Sequence, residues 1–345
     1  MFTKLTSLFF DGWEKFMKIV GILCEYNPLH LGHAKQISMI RKFSGPETAV
    51  VCLMSGNFVQ RGHPAVFDKM TRAEAAMEAG ADLVLELPVQ YCLSSAEGFA
   101  AGAVSILGTF CDEMSFGAEH PDAAALLSTA RCLLSPDFPR HLRTHLDAGL
   151  SFPAARAKAL ADMGADETLV SSPNDILAVE YCKAILTQGC AMAPLPIRRE
   201  GNYHDETPDP ENPSATAIRS LILKGEDWGS FVPDAALYDG AAIHTLSAAE
   251  KAILYRLRTM ADEEFEALPY GSEGLWRKLM HASRSCTTLE EIIAATKSKR
   301  YTRTRIDRMI LCAFLGITEE ILSQSAPYCR VLAFNDKGRT VLKQA

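Results

Sequence analysis

The stretch IVGILCEYNPLHLGHAKQI, residues 19–37, decides the fold. The apolar run at its beginning predicts a buried strand, and the polar loop that follows contains Pro28 and leads into a helix. His30 and His33 stand three positions apart at the start of that helix, with Gly32 between them. The free N–H groups of a helix N-terminus beyond the carboxyl end of a strand favour an anion. The stretch therefore predicts a phosphate-binding site in an α/β protein, with two imidazoles as hydrogen-bond donors.

Further along the chain, apolar runs alternate with helical segments. This alternation is typical of βαβ units, in which helices cover both faces of a parallel sheet. We therefore expect a Rossmann-like α/β domain with a parallel sheet. Strands are predicted at 19–24, 49–54, 82–88, 112–117 and 192–199, and helices at 33–43, 68–81, 96–108, 121–134, 138–148, 153–163 and 174–187.

The sequence changes character beyond Ser214, where it predicts almost only helices. A loop rich in Pro, Asp, Glu and Asn precedes this change at 200–213. We expect a domain boundary near residue 230, followed by a mostly helical C-terminal domain. Met17 stands directly before the first strand and is the expected natural start of the protein. The predicted divisions are an N-terminal extension at 1–16, the α/β domain at 17–230 and the helical domain at 231–345, with helices at 216–224, 247–260, 273–283, 288–296 and 302–315.

The composition excludes several classes of protein. With 345 residues, of which 48% are apolar and 22% charged, the chain has the balance of a globular protein and not of a disordered one. Its ten cysteines are scattered, which is typical of reduced thiols in the cytoplasm. No run approaches the ~20 apolar residues that a membrane helix needs, so no membrane partner is expected. The net charge is −7, but residues 250–345 carry 16 Lys and Arg against 12 Asp and Glu, so a polyanion is expected to bind there.

A second anion site is predicted at SATAIRS, residues 214–220, after the proline-rich loop. Ser214 suits a helix cap, and Thr216 and Arg219 follow on the first turn. A hydroxyl group, a guanidinium and free helix N–H groups together suit the outer phosphates of a nucleotide. The pair of HxGH near the start and SxTxxR near the end of the α/β domain resembles the nucleotidyltransferase superfamily. Neither a P-loop nor a GxGxxG motif occurs in the sequence.

These residues predict a reaction at the α-phosphate of a nucleotide. We expect His30, His33 and Arg219 to be catalytic and to stabilise charge on the α-phosphoryl group and the leaving pyrophosphate, without a covalent enzyme intermediate. Ser214 and Thr216 are expected to hold the outer phosphates. Mg²⁺ is expected as the counter-ion of ATP, although no carboxylate cluster in the sequence identifies a protein ligand for a metal.

Longer stretches narrow the resemblance to one family. They are CEYNPLHLGH (24–33), MSGNFVQRGHPAVFDKMTRAEAAMEAGADLVLELP (54–88), SSPNDILAVEY (171–181) and SATAIR (214–219). In this order they are similar to the bacterial tRNA(Met) cytidine acetate ligases, over roughly residues 17–340. The resemblance implies a cytoplasmic enzyme that activates acetate with ATP as acetyl-adenylate. It then transfers the acetyl group to N4 of the wobble cytidine of elongator methionine tRNA.

The resemblance also implies an ATP site. Its implied members are Gly21, Ile22, Leu23, Cys24, Glu25, Tyr26, Asn27, Pro28, Leu29, His30, Leu31, Gly32, His33, Ala34, Gly102, Asn174 and Arg198. Two of these depart from the family pattern, which usually has a phenylalanine in place of Leu29 and an asparagine in place of Leu31. Family members commonly continue beyond the position of Ala345, so we expect the tRNA-binding domain to be truncated relative to theirs. The polar run after the second strand, with Gln60, Arg61 and Lys69, is predicted to point into the same cleft.

The segment TKSKRYTRTRIDR, residues 296–308, predicts the contact with tRNA. Its cations can neutralise phosphates, and an aromatic ring can stack on an unpaired base. A solvated basic helix face is the alternative explanation for such a run. The predicted tRNA-binding residues are Lys297, Lys299, Arg300, Tyr301, Arg303 and Arg305.

Two other functions stay open at this point. The chain could instead be an adenylyltransferase that acts on a small phosphorylated metabolite, in which case the basic segment has no role. It could also be a binding protein that keeps the nucleotide pocket without catalysis. The residues alone identify neither the acyl donor nor the tRNA, and they leave the oligomeric state open.

Overall fold

The computed structural model describes residues 17–199, 209 and 213–345. The expected extension at 1–16 and most of the predicted loop at 200–213 lie outside the described residues. The described strands are β1 (Ile19–Cys24), β2 (Ala49–Ser55), β3 (Phe58–Val59), β4 (His63–Pro64), β5 (Leu83–Leu87), β6 (Glu113–Ala118), β7 (Ala193–Arg198) and β8 (Arg330–Phe334).

A sheet with the strand order β7-β6-β1-β2-β5-β8 forms the centre of the structure. β1 pairs in parallel with β2 and β6, β2 pairs in parallel with β5, and β6 pairs in parallel with β7. The predicted α/β fold with a parallel sheet is therefore confirmed. The short strands β3 and β4 form a separate hairpin over residues 58–64.

Helices surround the sheet and build the C-terminal region. The first of them begins two residues earlier than predicted, because the side chain of His30 caps it. The described α-helices are α1 (Leu31–Ser44), α2 (Lys69–Glu78), α3 (Val89–Cys92), α4 (Ala96–Leu107), α5 (Ala123–Leu134), α6 (Phe138–Asp147), α7 (Phe152–Asp162), α8 (Pro173–Gln188), α9 (Ala215–Lys224), α10 (Glu250–Thr259), α11 (Asp262–Glu266), α12 (Leu275–Ser285), α13 (Leu289–Thr296), α14 (Arg303–Leu315), α15 (Glu319–Ser323) and α16 (Asp336–Gln344).

The central strands are buried on both faces, which explains their continuous apolar runs. Val20 and Ile22 of β1 pack in a core with α1 and α2. Val51 and Leu53 of β2 pack in a second core, on the opposite face, with α4 and α8. A third core joins α10, α12, α13 and α14 in the C-terminal region.

Strand β8 corrects the prediction that almost only helices follow Ser214. It pairs antiparallel with β5 at the edge of the central sheet, with Phe334 opposite Leu83. Val341 of α16 is buried in one of the two sheet cores. The apolar run of β8 is short, and a run of that length does not by itself distinguish a strand from a helix end. Residues 330–344 therefore lie on the α/β sheet and not with the helical cluster.

The order of the strands creates a crevice beside β1. From β1 the chain proceeds to β2 and β5 on one side and then returns to β6 and β7 on the other. In open α/β sheets, ligands bind outside the carboxyl ends of the strands at such a reversal. Within the described residues, no helix combines the length and the apolar character needed to cross a bilayer.

Candidate nucleotide-binding site

A cavity of about 390 Å³ opens where the carboxyl ends of β1 and β6 meet the N-termini of α1, α8 and α9. Three separate parts of the sequence converge on it, as the two anion-binding motifs and the family resemblance predict. The predicted site residues that line it are Leu23, Cys24, Glu25, Tyr26, Asn27, His30, Gly32, His33, Asn174, Arg198, Ser214, Thr216 and Arg219.

The two histidines cap the helix that they begin. Nδ1 of His30 accepts a hydrogen bond from the Gly32 N–H at 3.1 Å, and Nδ1 of His33 accepts one from the His30 N–H at 3.2 Å. Their rings stack with centroids 3.6 Å apart. Because each Nδ1 is an acceptor, we assign the proton of each neutral imidazole to Nε2. The capping arrangement therefore fixes both imidazole rings at the helix N-terminus and leaves Nε2 of each as a donor.

The environment keeps both imidazoles neutral. Burial lowers the pKa of His30 to about 3, and the positive charges of Arg199 and Arg219 lower it in the same direction. Burial also holds the pKa of His33 well below its usual range, together with His30 and Arg199. His30 is 3% exposed, and its Nε2 has no hydrogen-bond partner among the described residues. A buried donor without a partner is costly, so this atom is suited to a ligand oxygen.

The lowered pKa of His30 predicts a loss of stability in acid. Between its unfolded pKa near 6.5 and about 3, the unfolded chain binds a proton that the folded chain does not. The free energy of unfolding therefore falls as the pH falls through this window, by at most ~1.4 kcal/mol per pH unit from this group. Urea unfolding between pH 7 and pH 5 measures the slope. His30→Asn retains a capping side chain and is expected to show a shallower slope; an unchanged slope would contradict the neutral, buried assignment.

The charge of the cavity favours a polyanion. Among the described residues that line it, Glu25 is the only carboxylate, and it is opposed by Lys35, Arg61, Arg198, Arg199 and Arg219. The described residues contain no group of three or more His, Cys, Asp or Glu side chains that could hold a metal ion. The excess of cations in the lining therefore suits a nucleotide triphosphate.

Helix α9 brings the second predicted motif to the cavity. Ser214 caps α9, since its Oγ accepts from the Ala217 N–H at 3.1 Å. The Arg219 guanidinium donates to the Asn27 carbonyl at 2.8 Å and to the Thr216 hydroxyl at 3.1 Å. The contact with Asn27 joins the two motifs across 192 positions of sequence. Arg219 is thus held beside the loop that precedes the two histidines.

Arg199 is a cavity residue that the sequence reasoning did not select. It follows Arg198 at the end of β7, and its guanidinium donates to the Asn174 side-chain oxygen at 3.1 Å. The amide nitrogen of Asn174 donates to Glu119 at 2.6 Å, so Asn174 is held from both ends. The positive charge of Arg199 also lowers the pKa of both histidines. The two consecutive arginines at the end of β7 are the sequence feature that could have indicated Arg199 as a site residue.

Gly102 does not reach this cavity. It is buried in α4, and a Cβ at this position would collide with the ring of Tyr91. The missing side chain makes room for α3, and the approach of a base or ribose to Gly102 stays a prediction. The remaining predicted residues of the nucleotide site that do not line the cavity are Gly21, Ile22, Pro28, Leu29, Leu31 and Ala34, which belong to the elements behind it.

The polar run after β2 is placed only partly as predicted. Gln60 and Arg61 line the cavity, and the Gln60 N–H donates to the Glu25 carboxylate at 2.7 Å. Burial raises the pKa of Glu25, although Arg219 and Arg72 oppose that shift. Lys69 instead pairs with Glu86 at 2.8 Å and does not line the cavity.

The basic segment at 296–308 is only partly exposed. Tyr301 is buried in the third core, and its hydroxyl donates to the Glu273 carbonyl at 2.8 Å, so the prediction that its ring stacks on a base is wrong. Arg303 is held by Glu290 at 2.7 Å and by Asp307 at 3.1 Å. Arg305 donates to the Tyr270 carbonyl and to Ser272, at 2.9 Å each. The predicted residues that stay exposed are Lys297, Lys299 and Arg300.

Comparison with known proteins agrees with this geometry. The model of the HIGH Nucleotidyl Transferase family matches residues 17–345. The tRNA(Met) cytidine acetate ligase of Clostridium novyi is 38% identical over 350 residues, which cover 95% of this chain and 87% of that protein. The ligase of the same name from Anoxybacillus flavithermus is 35% identical over 347 residues, covering 95% of this chain and 86% of that protein.

Two crystal structures of Thermotoga maritima TmcAL have the same fold. The apo structure aligns with a TM-score of 0.86 and 32% identity, and the structure bound with alpha-thio ATP aligns with a TM-score of 0.84 and 33% identity. Each alignment covers 95% of this chain and 83% of the other. The chain therefore belongs to the HIGH nucleotidyl transferase family, among its tRNA(Met) cytidine acetate ligases.

Proposed function

We propose that this protein ligates acetate to N4 of the wobble cytidine of elongator methionine tRNA in the cytoplasm, with ATP as the energy source and acetyl-adenylate as the intermediate. One observation carries the proposal: two neutral imidazoles begin a helix in a cavity lined by cations, and the buried Nε2 of His30 has no partner among the described residues. The relatives named for this ligase support the choice of acetate and tRNA(Met). The alpha-thio ATP bound to the Thermotoga maritima neighbour supports ATP as the nucleotide.

In the first step an acetate oxygen attacks the α-phosphorus, and pyrophosphate leaves with the electron pair of the broken P–O bond. Negative charge develops on the α-phosphate oxygens and on the leaving group. The Nε2–H groups of His30 and His33 would donate to the α-phosphate oxygens. Arg219, which is already oriented by the Asn27 carbonyl, would donate to the pyrophosphate. Donors held in position before the reaction need little reorganisation in the transition state, which lowers the barrier.

The outer phosphates would lie at the N-terminus of α9. The Thr216 hydroxyl and the free N–H groups of the first turn are the donors there, and Ser214 holds the cap. Mg²⁺ would be carried by the phosphate oxygens of ATP and by water, since Mg²⁺ commonly binds through substrate phosphates. In the second step the N4 amine of the cytidine attacks the acetyl carbonyl carbon and gives up one proton to water, and AMP leaves with the electron pair of the broken C–O bond.

The reaction itself tests the proposal. Purified protein is incubated with α-labelled ATP, Mg²⁺, acetate and bacterial tRNA, AMP is measured, and the tRNA is digested and analysed for N4-acetylcytidine. We expect AMP and acetylcytidine, both dependent on acetate. A stable adenylylated metabolite without acetylcytidine would favour the adenylyltransferase alternative. ATP binding without AMP would favour a binding protein that lacks catalysis.

We also propose that the helical region beyond residue 230 holds the tRNA, with the exposed part of the basic segment as a phosphate contact. The side chain of Arg300 is 71% exposed, and Lys297 and Lys299 are exposed beside it. Arg303 and Arg305 already make the internal contacts described above. We therefore expect them to stabilise this surface, and we do not expect them to be the main phosphate contacts.

Lys299→Glu combined with Arg300→Glu is expected to weaken tRNA binding about tenfold or more at low salt. Each lost phosphate contact lowers the salt slope by roughly 0.7 to 0.9, so the double variant should lower it by up to about 2. Filter binding over a salt series measures both quantities. Arg143→Glu combined with Lys158→Glu makes the same charge change on exposed residues of α6 and α7 and serves as the matched control. Equal losses in the two double variants would attribute the effect to net charge and contradict a local contact.

A further inference from the structure

A second cavity, of about 180 Å³, adjoins the nucleotide cavity. The β3–β4 hairpin forms part of its wall with Val59 and His63, and Leu223 near the end of α9 also lines it. Val66 and the 244–246 segment line it as well, and the His244 N–H donates to the Val66 carbonyl at 2.9 Å. The cavity is less than half as large as the nucleotide cavity, so its size suits one base and not a triphosphate.

The two cavities meet at four shared residues. Glu25, Asn27, Arg61 and Arg219 line both of them. Arg219 is the group assigned above to the leaving pyrophosphate, so the shared boundary lies next to the reacting phosphate. A ligand in the second cavity would therefore lie next to the nucleotide cavity, with Glu25 at the boundary between them.

The hairpin wall is attached to the basic segment. His63 Nε2 lies 3.5 Å from the Asp307 carboxylate of α14, and Arg308 donates to the Gln60 carbonyl at 3.4 Å. Gly62 packs so closely on α14 that a Cβ there would lie 2.5 Å from the backbone nitrogen of Arg308. A polynucleotide bound along the basic segment would thus lie beside the mouth of the second cavity.

We propose that this second cavity receives the acceptor cytosine, turned out of the anticodon loop, and that Glu25 accepts a hydrogen bond from its exocyclic amine. Enzymes that modify a base commonly bind it unstacked in a pocket of its own. A carboxylate accepts from the cytosine amino group, whereas the O4 oxygen of uracil at the same place would repel it. The inference rests on the proposed function and adds the acceptor site to it.

The test separates the two half-reactions in one variant. Leu223 lines only the second cavity, and 57% of its surface is exposed, so Leu223→Trp can narrow the cavity without disturbing a core. We expect acetate-dependent ATP–pyrophosphate exchange within twofold of the wild type and acetylation of tRNA lowered tenfold or more. Lys224→Trp places the same ring on the next, exposed residue and is expected to leave both rates within twofold.

Each outcome decides a different point. If Leu223→Trp acetylates tRNA as fast as the wild type, the acceptor does not enter this cavity, while the proposed function stands. If exchange falls together with acetylation, the cavity serves the nucleotide and the assignment is overturned. If the wild type shows no acetate-dependent exchange, the proposed function fails, and the assignment of an acceptor fails with it. Thermal unfolding of both variants, expected to match the wild type, shows that neither rate reports misfolding.

Discussion

His33→Ala is expected to lower acetate-dependent ATP–pyrophosphate exchange by about 100-fold or more, the usual cost of removing one preorganised transition-state donor. The variant loses the Nε2–H donor of a residue that lines the cavity. It also loses the hydrogen bond from the His30 N–H to Nδ1, which is 3.2 Å long and helps to cap α1. The rate of exchange in the absence of tRNA measures the first half-reaction alone.

A second substitution separates catalysis from capping. Glutamine at the third position of a helix can reach back to the N-cap N–H, as in a capping box. His33→Gln is therefore expected to keep the stability of the wild type, as measured by urea unfolding, and still to lose most of the exchange activity. His33→Ala should lose about 1 kcal/mol of stability as well. Exchange at the wild-type rate in His33→Gln would mean that the histidine only caps the helix.

The nucleotide end of the site was predictable because its determinants are local. His30, Gly32 and His33 are adjacent in sequence, and the strand before them and the helix after them have clear patterns. The conformation of the loop between the strand and the helix depends instead on packing against the rest of the protein. Tyr26 has a φ of 44°, in the left-handed region that tyrosine rarely adopts, and it is held there because its ring is buried in the core.

Other features depend on contacts between distant residues. Tyr301 stands in a run of cations, which favours an exposed ring. Its hydroxyl instead donates a hydrogen bond to the Glu273 carbonyl, 28 positions earlier in the chain. Arg303 donates to the Glu290 carboxylate because α13 packs on α14. β8 pairs with β5, a strand about 250 positions before it. The residue pattern of β8 does not indicate which strand it pairs with. Periodicity reports which face of an element is buried, but it does not report what covers that face.

Arg72 is the clearest feature of the site that the pattern of α2 did not reveal. Arg72 is fully buried, although the sequence of α2 has the pattern of a surface helix that buries only one face. Its guanidinium donates to backbone carbonyls at or just beyond the ends of β1 and β2 and in the loop before α2. These hydrogen bonds join the three segments. The acceptors are the carbonyls of Glu25 at 2.6 Å, Ser55 at 3.0 Å, Phe67 at 3.0 Å and Gly56.

Arg72→Met is expected to lower the free energy of unfolding by about 3–5 kcal/mol, as measured by urea denaturation. Methionine fills much of the same volume, so the loss comes from buried carbonyls left without donors, each of which costs roughly 1–3 kcal/mol. Arg143→Met, at an exposed position of α6, is the matched control and should change stability by less than about 0.5 kcal/mol.

Arg72→Lys gives the sharper comparison, because it keeps the charge and loses only the planar fork of donors. An ammonium group is a compact donor and cannot span carbonyls that lie on three separate chain segments, so we expect a loss between those of Arg143→Met and Arg72→Met. We also expect Arg72→Lys to lower exchange activity, since the Glu25 backbone that it anchors leads directly into the histidine loop. Full stability in both variants at position 72 would mean that other groups hold these carbonyls, and that the buried arginine does not set the geometry of the site.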